Sequence, residues 1–177
     1  MAKNINFGKR FEEDFKNSVP DYCWLHRLKD SAQSYNNSAD TSFSWDNECD
    51  YFVFDDKSRI LYCLELKTTK SKSFSYQMDK NDKSSRLIKW HQIESLTKFS
   101  EFNHIKSGLF LNFRDEKNNV QRTYFMDIKD FNKVKESNGK HSINEFEIIL
   151  NGGVKISGAK KRVRYRWDID SFLKSMS

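Results

Sequence analysis

Apolar positions along the chain follow two patterns, one with helical spacing and one typical of extended strands. Phe7, Phe11 and Phe15 recur at every fourth residue, which predicts a helix over residues 7–15 with one apolar ridge. Short apolar runs bounded by turn-forming residues then predict strands. These runs are Tyr22 to Leu28 and residues 50–54, 60–66, 108–113 and 122–126.

The second half of the chain adds three predicted helices. They cover residues 89–102, 127–136 and 168–176, and in the first of these Trp90 and Ile93 begin an apolar face. Residues 143–149 fit either a helix or a strand. Strands and helices in this order predict an α/β fold in which a mixed central sheet is flanked by helices on both sides.

Two polar segments separate these elements. Residues 30–48 are rich in Ser, Asn and Asp and contain no Lys or Arg, so they are interpreted as a long loop. Residues 68–89 form a second polar connection that carries several lysines, including Lys70 and Lys72. Such a segment either contacts phosphates or is simply a solvated loop.

Length and composition indicate one globular domain over residues 1–177, of which residues 151–177 form a basic C-terminal segment. The chain has 177 residues, of which 37% are hydrophobic and 15% aromatic, enough for one substantial core. Three cysteines without a Cys-x-x-Cys motif argue against disulfides and against a structural zinc site. No apolar segment resembles a signal peptide or a membrane span, so the expected location is cytoplasmic.

Positive charge is concentrated near the C-terminus. The formal net charge is +6, and residues 151–177 carry seven Lys or Arg against two acidic residues. Alternating bases and aromatics predict a strand over residues 160–167 with one positive face, suited to DNA phosphates. The alternative is a solvated edge strand whose charges discourage association between sheets. The bases on the predicted face are Lys160, Arg162, Arg164 and Arg166.

Residues 47–70 contain the candidate chemistry. Asp50 begins one apolar run, and Glu65 is the only charged residue inside the next run, which Lys67 closes. Side chains alternate between the two faces of a strand, so Glu65 and Lys67 lie on the same face. The alternative interpretation is an ordinary ion pair on a half-exposed sheet, because acid-x-Lys spacing occurs five times in the chain.

The position of the turn decides whether Asp50 joins this face. A turn centred on residues 56–57 places Phe54 opposite Arg59 and Asp50 opposite Cys63, which makes Asp50 the diagonal neighbour of Glu65. Their Cα atoms are then roughly 7–8 Å apart, and both carboxylates reach one divalent ion. A shift of the turn by one residue would move Asp50 to the other face.

Together these segments resemble a RecU-type Holliday junction resolvase of the PD-(D/E)xK nuclease superfamily. The resemblance covers most of the chain and depends on the order and spacing of several short motifs. Gly8 to Glu12 resembles the family's Gly-x-x-x-Glu helix, Cys49-Asp50-Tyr51 its Thr-Asp-Tyr, and Glu65-Leu66-Lys67 its Glu-Ala-Lys. Ser73-Phe74 followed by His91-Gln92 resembles its Ser-Phe and His-Gln pair. His141-Ser142-Ile143 and Arg162 to Arg166 resemble its closing segment.

The resemblance implies a restriction-endonuclease-like core and a homodimer that cuts four-way DNA junctions by paired nicks with Mg²⁺ or Mn²⁺. It implies that Asp50, Glu65 and Glu12 hold the metal ion. It also implies that Lys67 positions the attacking water and that Gln92 supports the site from its helix. A phage or prophage origin, in a bacterial or infected host cell, would suit the Lys- and Asn-rich composition.

The chain departs from the family in how it could engage DNA. The family has a basic stalk ahead of the catalytic Asp, whereas residues 30–48 are short and lack bases. The predicted DNA contacts are therefore Lys70, Lys72, Arg162, Arg164 and Arg166. Two alternatives stay open, namely another PD-(D/E)xK nuclease of restriction, flap-processing or break-processing type, and a DNA-binding module without catalysis.

Overall fold

A six-stranded mixed sheet forms the centre of the protein. The computed structural model describes residues 5–28, 47–118 and 120–176. The strand order in the sheet is β1-β2-β3-β5-β6-β8, and only β3 and β5 pair in parallel. The strands are β1 Cys23–Arg27, β2 Tyr51–Asp55, β3 Ile60–Thr69, β4 Ser73–Ser75, β5 Ile105–Asp115, β6 Val120–Asp127, β7 Ser142–Asn144, β8 Val154–Ile156, β9 Gly158–Lys161 and β10 Arg164–Trp167.

Helices cover both faces of the sheet, which confirms the predicted fold class. On one face Phe15 and Phe172 pack with Phe110 of the sheet. On the other face Leu96 and Phe131 belong to a second buried cluster. The helices are α1 Phe7–Lys16 and α5 Ile169–Met176 on the first face, and α2 Trp90–Phe99, α3 Ile128–Ser137 and α4 Glu145–Leu150 on the second.

The first helix confirms the apolar ridge that its sequence predicts. The side chain of Asn6 caps the helix by accepting a hydrogen bond from the backbone N–H of Lys9 at 3.1 Å. Phe11 and Phe15 are buried against the sheet, whereas Phe7 remains partly exposed beneath the guanidinium of Arg114. The ridge therefore anchors α1 at its C-terminal end and leaves its N-terminal end beside a cleft.

The register predicted for the central hairpin is wrong by two residues. Phe54 pairs with Leu61 and Cys63 pairs with Phe52, so Asp50 does not lie opposite Cys63. The backbone N–H of Arg59 donates to the carbonyl of Asp55 at 2.9 Å, which gives a wider turn than the sequence suggested. Because the partner moves by an even number of residues, the face that each side chain occupies is unchanged.

A small second sheet lies within segments that the sequence left ambiguous or polar. Strand β4 falls inside the predicted polar connection and pairs antiparallel with β7. Its Phe74 lies opposite Ile143, and both are fully buried. Residues 143–149 thus contain both a strand end and helix α4, which begins after Asn144 with a capping box completed by Glu147.

The basic C-terminal segment is a hairpin, so the predicted single strand with four bases on one face is wrong. Strand β9 pairs antiparallel with β10, and Lys161 lies opposite Arg164. Arg162 sits in the turn with a φ of +55°, a left-handed conformation that interrupts any continuous strand. Arg164 and Arg166 both turn to the carboxylate of Asp14, whereas Arg162 is exposed in the turn, so the four bases share no common positive face.

Two further sequence predictions concern the polar loop after β1 and the absence of a membrane span. The predicted loop over residues 30–48 lies almost wholly outside the described residues. Within the described part of the chain, no helix is long and apolar enough to cross a membrane.

Candidate active site

Asp50 and Glu65 meet where β2 begins and β3 crosses the middle of the sheet. Glu65 is only 1% exposed, because β3 lies inside the sheet between β2 and β5 and Gln92 of α2 packs on its side chain. Asp50 precedes β2, and its Oδ2 accepts a hydrogen bond from the backbone N–H of Leu66 at 2.7 Å. The two carboxyl groups are close enough to share a hydrogen bond.

Two further side chains converge on the carboxylate of Glu65. The Nζ of Lys67 lies 2.7 Å from Glu65 Oε1, and the side-chain amide of Gln92 donates to the same oxygen at 2.6 Å. The carbonyl oxygen of the same side chain, Gln92 Oε1, accepts a hydrogen bond from the backbone N–H of Lys89 at 2.9 Å. The start of α2 therefore holds Gln92 in the orientation that presents its N–H to Glu65.

Burial makes both carboxyl groups unusually weak acids. It raises the pKa of Glu65 to about 8, against the opposing effect of Lys67, and Asp50 raises that pKa further. Burial also raises the pKa of Asp50, although Lys67 and the Leu66 amide oppose this shift. A pair of desolvated carboxyls beside a single ammonium group would be stabilised in the charged form by an added cation.

A cleft of about 320 Å³ opens on Asp50, and Glu65 lies buried behind Asp50 and Lys67. Asp50 and Lys67 line the cleft from the sheet, and Glu12 lines it from α1. The carboxylate of Glu12 accepts hydrogen bonds from Arg27 at 2.7 and 3.0 Å. The structure thus brings Asp50, Glu65, Lys67 and Gln92 into contact, whereas Glu12 lies across the cleft in an ion pair.

The donor set suits a hard divalent cation held by few protein ligands. In residues 5–28, 47–118 and 120–176, no three His, Cys, Asp or Glu side chains group closely enough to form a metal cluster. Mg²⁺ is commonly bound through one or two carboxylates and keeps several water molecules. Asp50 and Glu65 supply such a pair, and burial raises the pKa of both carboxyls, so an added cation would favour their charged forms. The residues present therefore fit Mg²⁺ or Mn²⁺.

The predicted DNA-contacting residues divide into two groups. Lys70 and Lys72 are exposed where β3 ends, beside a second cleft. Arg164 instead binds the buried Asp14 at 2.5 Å, and Arg166 lies 3.8 Å from the same carboxylate. Arg162 is exposed in the turn of its hairpin. The first group and Arg162 are open to a ligand, whereas Arg164 and Arg166 fasten the C-terminal hairpin to α1.

Sequence patterns missed two arginines at the site. Arg27 lies at the end of β1 and holds Glu12. Arg114 of β5 lines the cleft and donates to the hydroxyl of Thr68 at 3.1 Å. Neither residue stands in a recognisable motif, because strand pairing and helix packing bring each to the cleft from a distant part of the chain.

Comparisons with known proteins give one curated relative and a distant structural likeness. No protein-family model matches the chain. The chain is 28% identical over 172 residues to an uncharacterized SPbeta prophage-derived protein, YotM, of Bacillus subtilis (strain 168), covering 92% of this chain and 82% of that protein. The solved structure of Hjc, a Holliday junction resolvase of Archaeoglobus fulgidus, is 16% identical with a TM-score of 0.46, covering 84% of this chain and 95% of that one.

Proposed function

We propose that this protein is a metal-dependent endonuclease that resolves four-way DNA junctions by paired nicks. The observation that carries the proposal is the contact of Asp50 and Glu65 beneath an open cleft, with Lys67 2.7 Å from Glu65. An acidic pair beside a lysine is the arrangement that the PD-(D/E)xK resemblance implies. It also accounts for a charged residue in a largely buried strand of the sheet, where an apolar side chain would otherwise be expected.

Each side chain has a distinct role in the proposed reaction. Asp50 and Glu65 would hold Mg²⁺ or Mn²⁺, and the bound ion would polarise the scissile phosphate and lower the pKa of a nearby water. Lys67 orients the attacking water at the mouth of the cleft and favours its deprotonated form. Gln92 fixes the orientation of the Glu65 carboxylate, and Glu12 faces the same space from α1.

The proposed substrate and assembly follow from the resemblance. A homodimer with two such sites matches the two-fold symmetry of a four-way junction and would cut it symmetrically. The net charge of +6 favours DNA as the partner. Similarity to a prophage-derived protein supports a phage or prophage origin, and therefore action in the cytoplasm of a bacterial host.

Cleavage of a labelled four-way junction and of a linear duplex of matched sequence, with Mg²⁺ and with EDTA, tests the proposal. We expect metal-dependent paired nicks in the junction alone. Asp50→Asn should abolish cleavage and leave junction binding near the wild-type level, because the lost carboxylate holds metal rather than phosphate. Asp56→Asn is the matched control, since Asp56 lies exposed in the turn of the same hairpin.

Two results would contradict the proposal. Cleavage by Asp50→Asn at the wild-type rate would show that the site assignment is wrong. Binding of the junction without cutting in any divalent metal would instead leave a DNA-binding module without catalysis.

A further inference from the structure

A second cleft, of about 720 Å³, lies beside the candidate active site. The end of β3, the β5–β6 hairpin and α4 form its walls, and Arg114 lines both clefts. Lys67 of β3 faces the first cleft and Lys70 lines the second. Lys70 directly follows β3, and side chains three positions apart in an extended chain point to opposite sides, so the clefts adjoin through Arg114 rather than along one face of β3. A strand bound in the first cleft can continue past Arg114 into the second.

The second cleft is positively charged on its rim. Lys70, Lys72 and Lys117 line it, and none of them forms an ion pair with another described residue. Of the other charges in the cleft, Arg122 binds Glu145 at 2.7 Å and Arg114 pairs with Glu116, whereas the carboxylate of Asp115 binds Asn118. Five basic and three acidic side chains leave the cleft a net charge of +2, which favours an anionic ligand.

Helix α4 adds an apolar surface to this basic cleft. Phe146 is 71% exposed and Ile149 is 53% exposed, and both line the cleft from the same side of the helix. Leu150 is equally exposed at 70% but does not line the cleft. An exposed aromatic ring beside unpaired lysines combines a surface for a base with contacts for phosphates.

We propose that the second cleft binds an unpaired segment of DNA, with a base stacked on Phe146 and the adjoining phosphates on Lys70, Lys72 and Lys117. This proposal rests on the proposed function and adds a reason for selecting opened DNA. Bases inside an intact duplex are stacked on their neighbours, so only an unpaired base can present its face to the ring. A second copy of the chain is a poorer occupant, because it would bring the same positive charge to the cleft.

Fluorescence anisotropy in EDTA measures this binding without cleavage. The probes are a labelled duplex that carries an unpaired single-stranded arm and a fully paired duplex of the same length. Phe146→Ala should weaken binding of the armed probe by about fivefold or more, since a base stacked on an aromatic ring contributes about 1–3 kcal/mol. Binding of the paired duplex should change much less. Phe146→Trp should retain wild-type affinity, and Leu150→Ala is the matched control.

The salt dependence of binding tests the phosphate contacts of the lysines separately. Replacing both Lys70 and Lys72 by Ala should reduce the slope of log K against log salt by about 1.4–1.8 for the armed probe, because two phosphate contacts are lost. An unchanged slope would contradict the assignment of these lysines.

The proposal fails if Phe146→Ala binds the armed probe as tightly as the wild type, or if it weakens both probes equally. It also fails if Phe146→Ala turns a dimer into a monomer in sedimentation, because a second copy would then occupy the cleft. These outcomes are independent of the nuclease proposal, since binding is measured without metal. A protein that binds the armed probe through Phe146 but never cuts DNA would retain this inference and lose the proposed function.

Discussion

Replacing Glu65 by Gln is expected to stabilise the folded protein by an amount that grows with pH. The Glu65 carboxyl is buried in the central strand, and its pKa is raised from 4.5 to about 8, mainly by that burial. The folded state therefore holds the proton more tightly than the unfolded state does. The contribution of Glu65 to the free energy of unfolding of the wild type is fully present below about pH 4.5. It is lost as the pH rises through about 8. A Gln side chain cannot ionise, so the variant has no such loss.

The size of the effect follows from the shift in pKa. A displacement from 4.5 to about 8 corresponds to about 5 kcal/mol at 1.36 kcal/mol per unit. About 4 kcal/mol of this falls between about pH 5 and about pH 8.5, where unfolding can be measured. The opposing effect of Lys67 is already included in the pKa of about 8, so its loss in the variant is not counted separately.

Urea unfolding of the wild type and of Glu65→Gln at a series of pH values, in EDTA, measures the difference in free energy of unfolding. Glu94→Gln is the matched control, because Glu94 is an exposed residue of α2 whose ion pair with Lys98 lies in solvent. Added Mg²⁺ should stabilise the wild type at high pH and leave Glu65→Gln unchanged. A difference that stays constant within about 1 kcal/mol across the pH range would refute the reasoning.

Three other substitutions test separate parts of the structure. Lys67→Ala should lower the rate of junction cleavage at saturating metal without weakening junction binding in EDTA, with Lys98→Ala as the control. Asp14→Ala should lower the free energy of unfolding by about 1–3 kcal/mol, because the partly exposed Arg164 and the backbone N–H of Tyr165 would lose their buried acceptor, whereas Glu13→Ala on the same helix should have little effect in the same urea assay. Gly108→Ala should lower the thermal midpoint sharply, since a Cβ there would overlap the carbonyl of Met126 and the ring of Phe125.

The elements that the sequence predicted well are those whose apolar spacing is regular. The Phe11 and Phe15 ridge identified α1, and the continuous runs identified β3 and β5, because burial on one face or on both leaves a periodic signal. Strand β4 was missed because it has three residues with a single buried side chain, Phe74. So short a strand depends on its partner β7, which lies far away in the sequence.

Charged residues were harder to interpret because their roles depend on partners that spacing does not reveal. Arg164 and Lys70 have equal charge in similarly basic segments. The structure places Arg164 on the buried Asp14, 150 residues away along the chain, and leaves Lys70 exposed. The burial of Asp14 on the inner side of α1 was the missing observation, since a buried carboxylate requires a cationic partner.

The placement of Glu65 is the strongest physical reason to assign this protein a site at all. A carboxylate in the central strand lowers the stability of the fold at neutral pH, and a buried ion pair with Lys67 only partly offsets that loss. An apolar residue at the same position would pack between β2 and β5 without this penalty. The neighbouring Asp50 is partly buried at the same place, although it could have lain in solvent beyond the strand end. Two such residues in contact, one of them lining a cleft, favour a role in binding a cation over a role in stabilising the sheet.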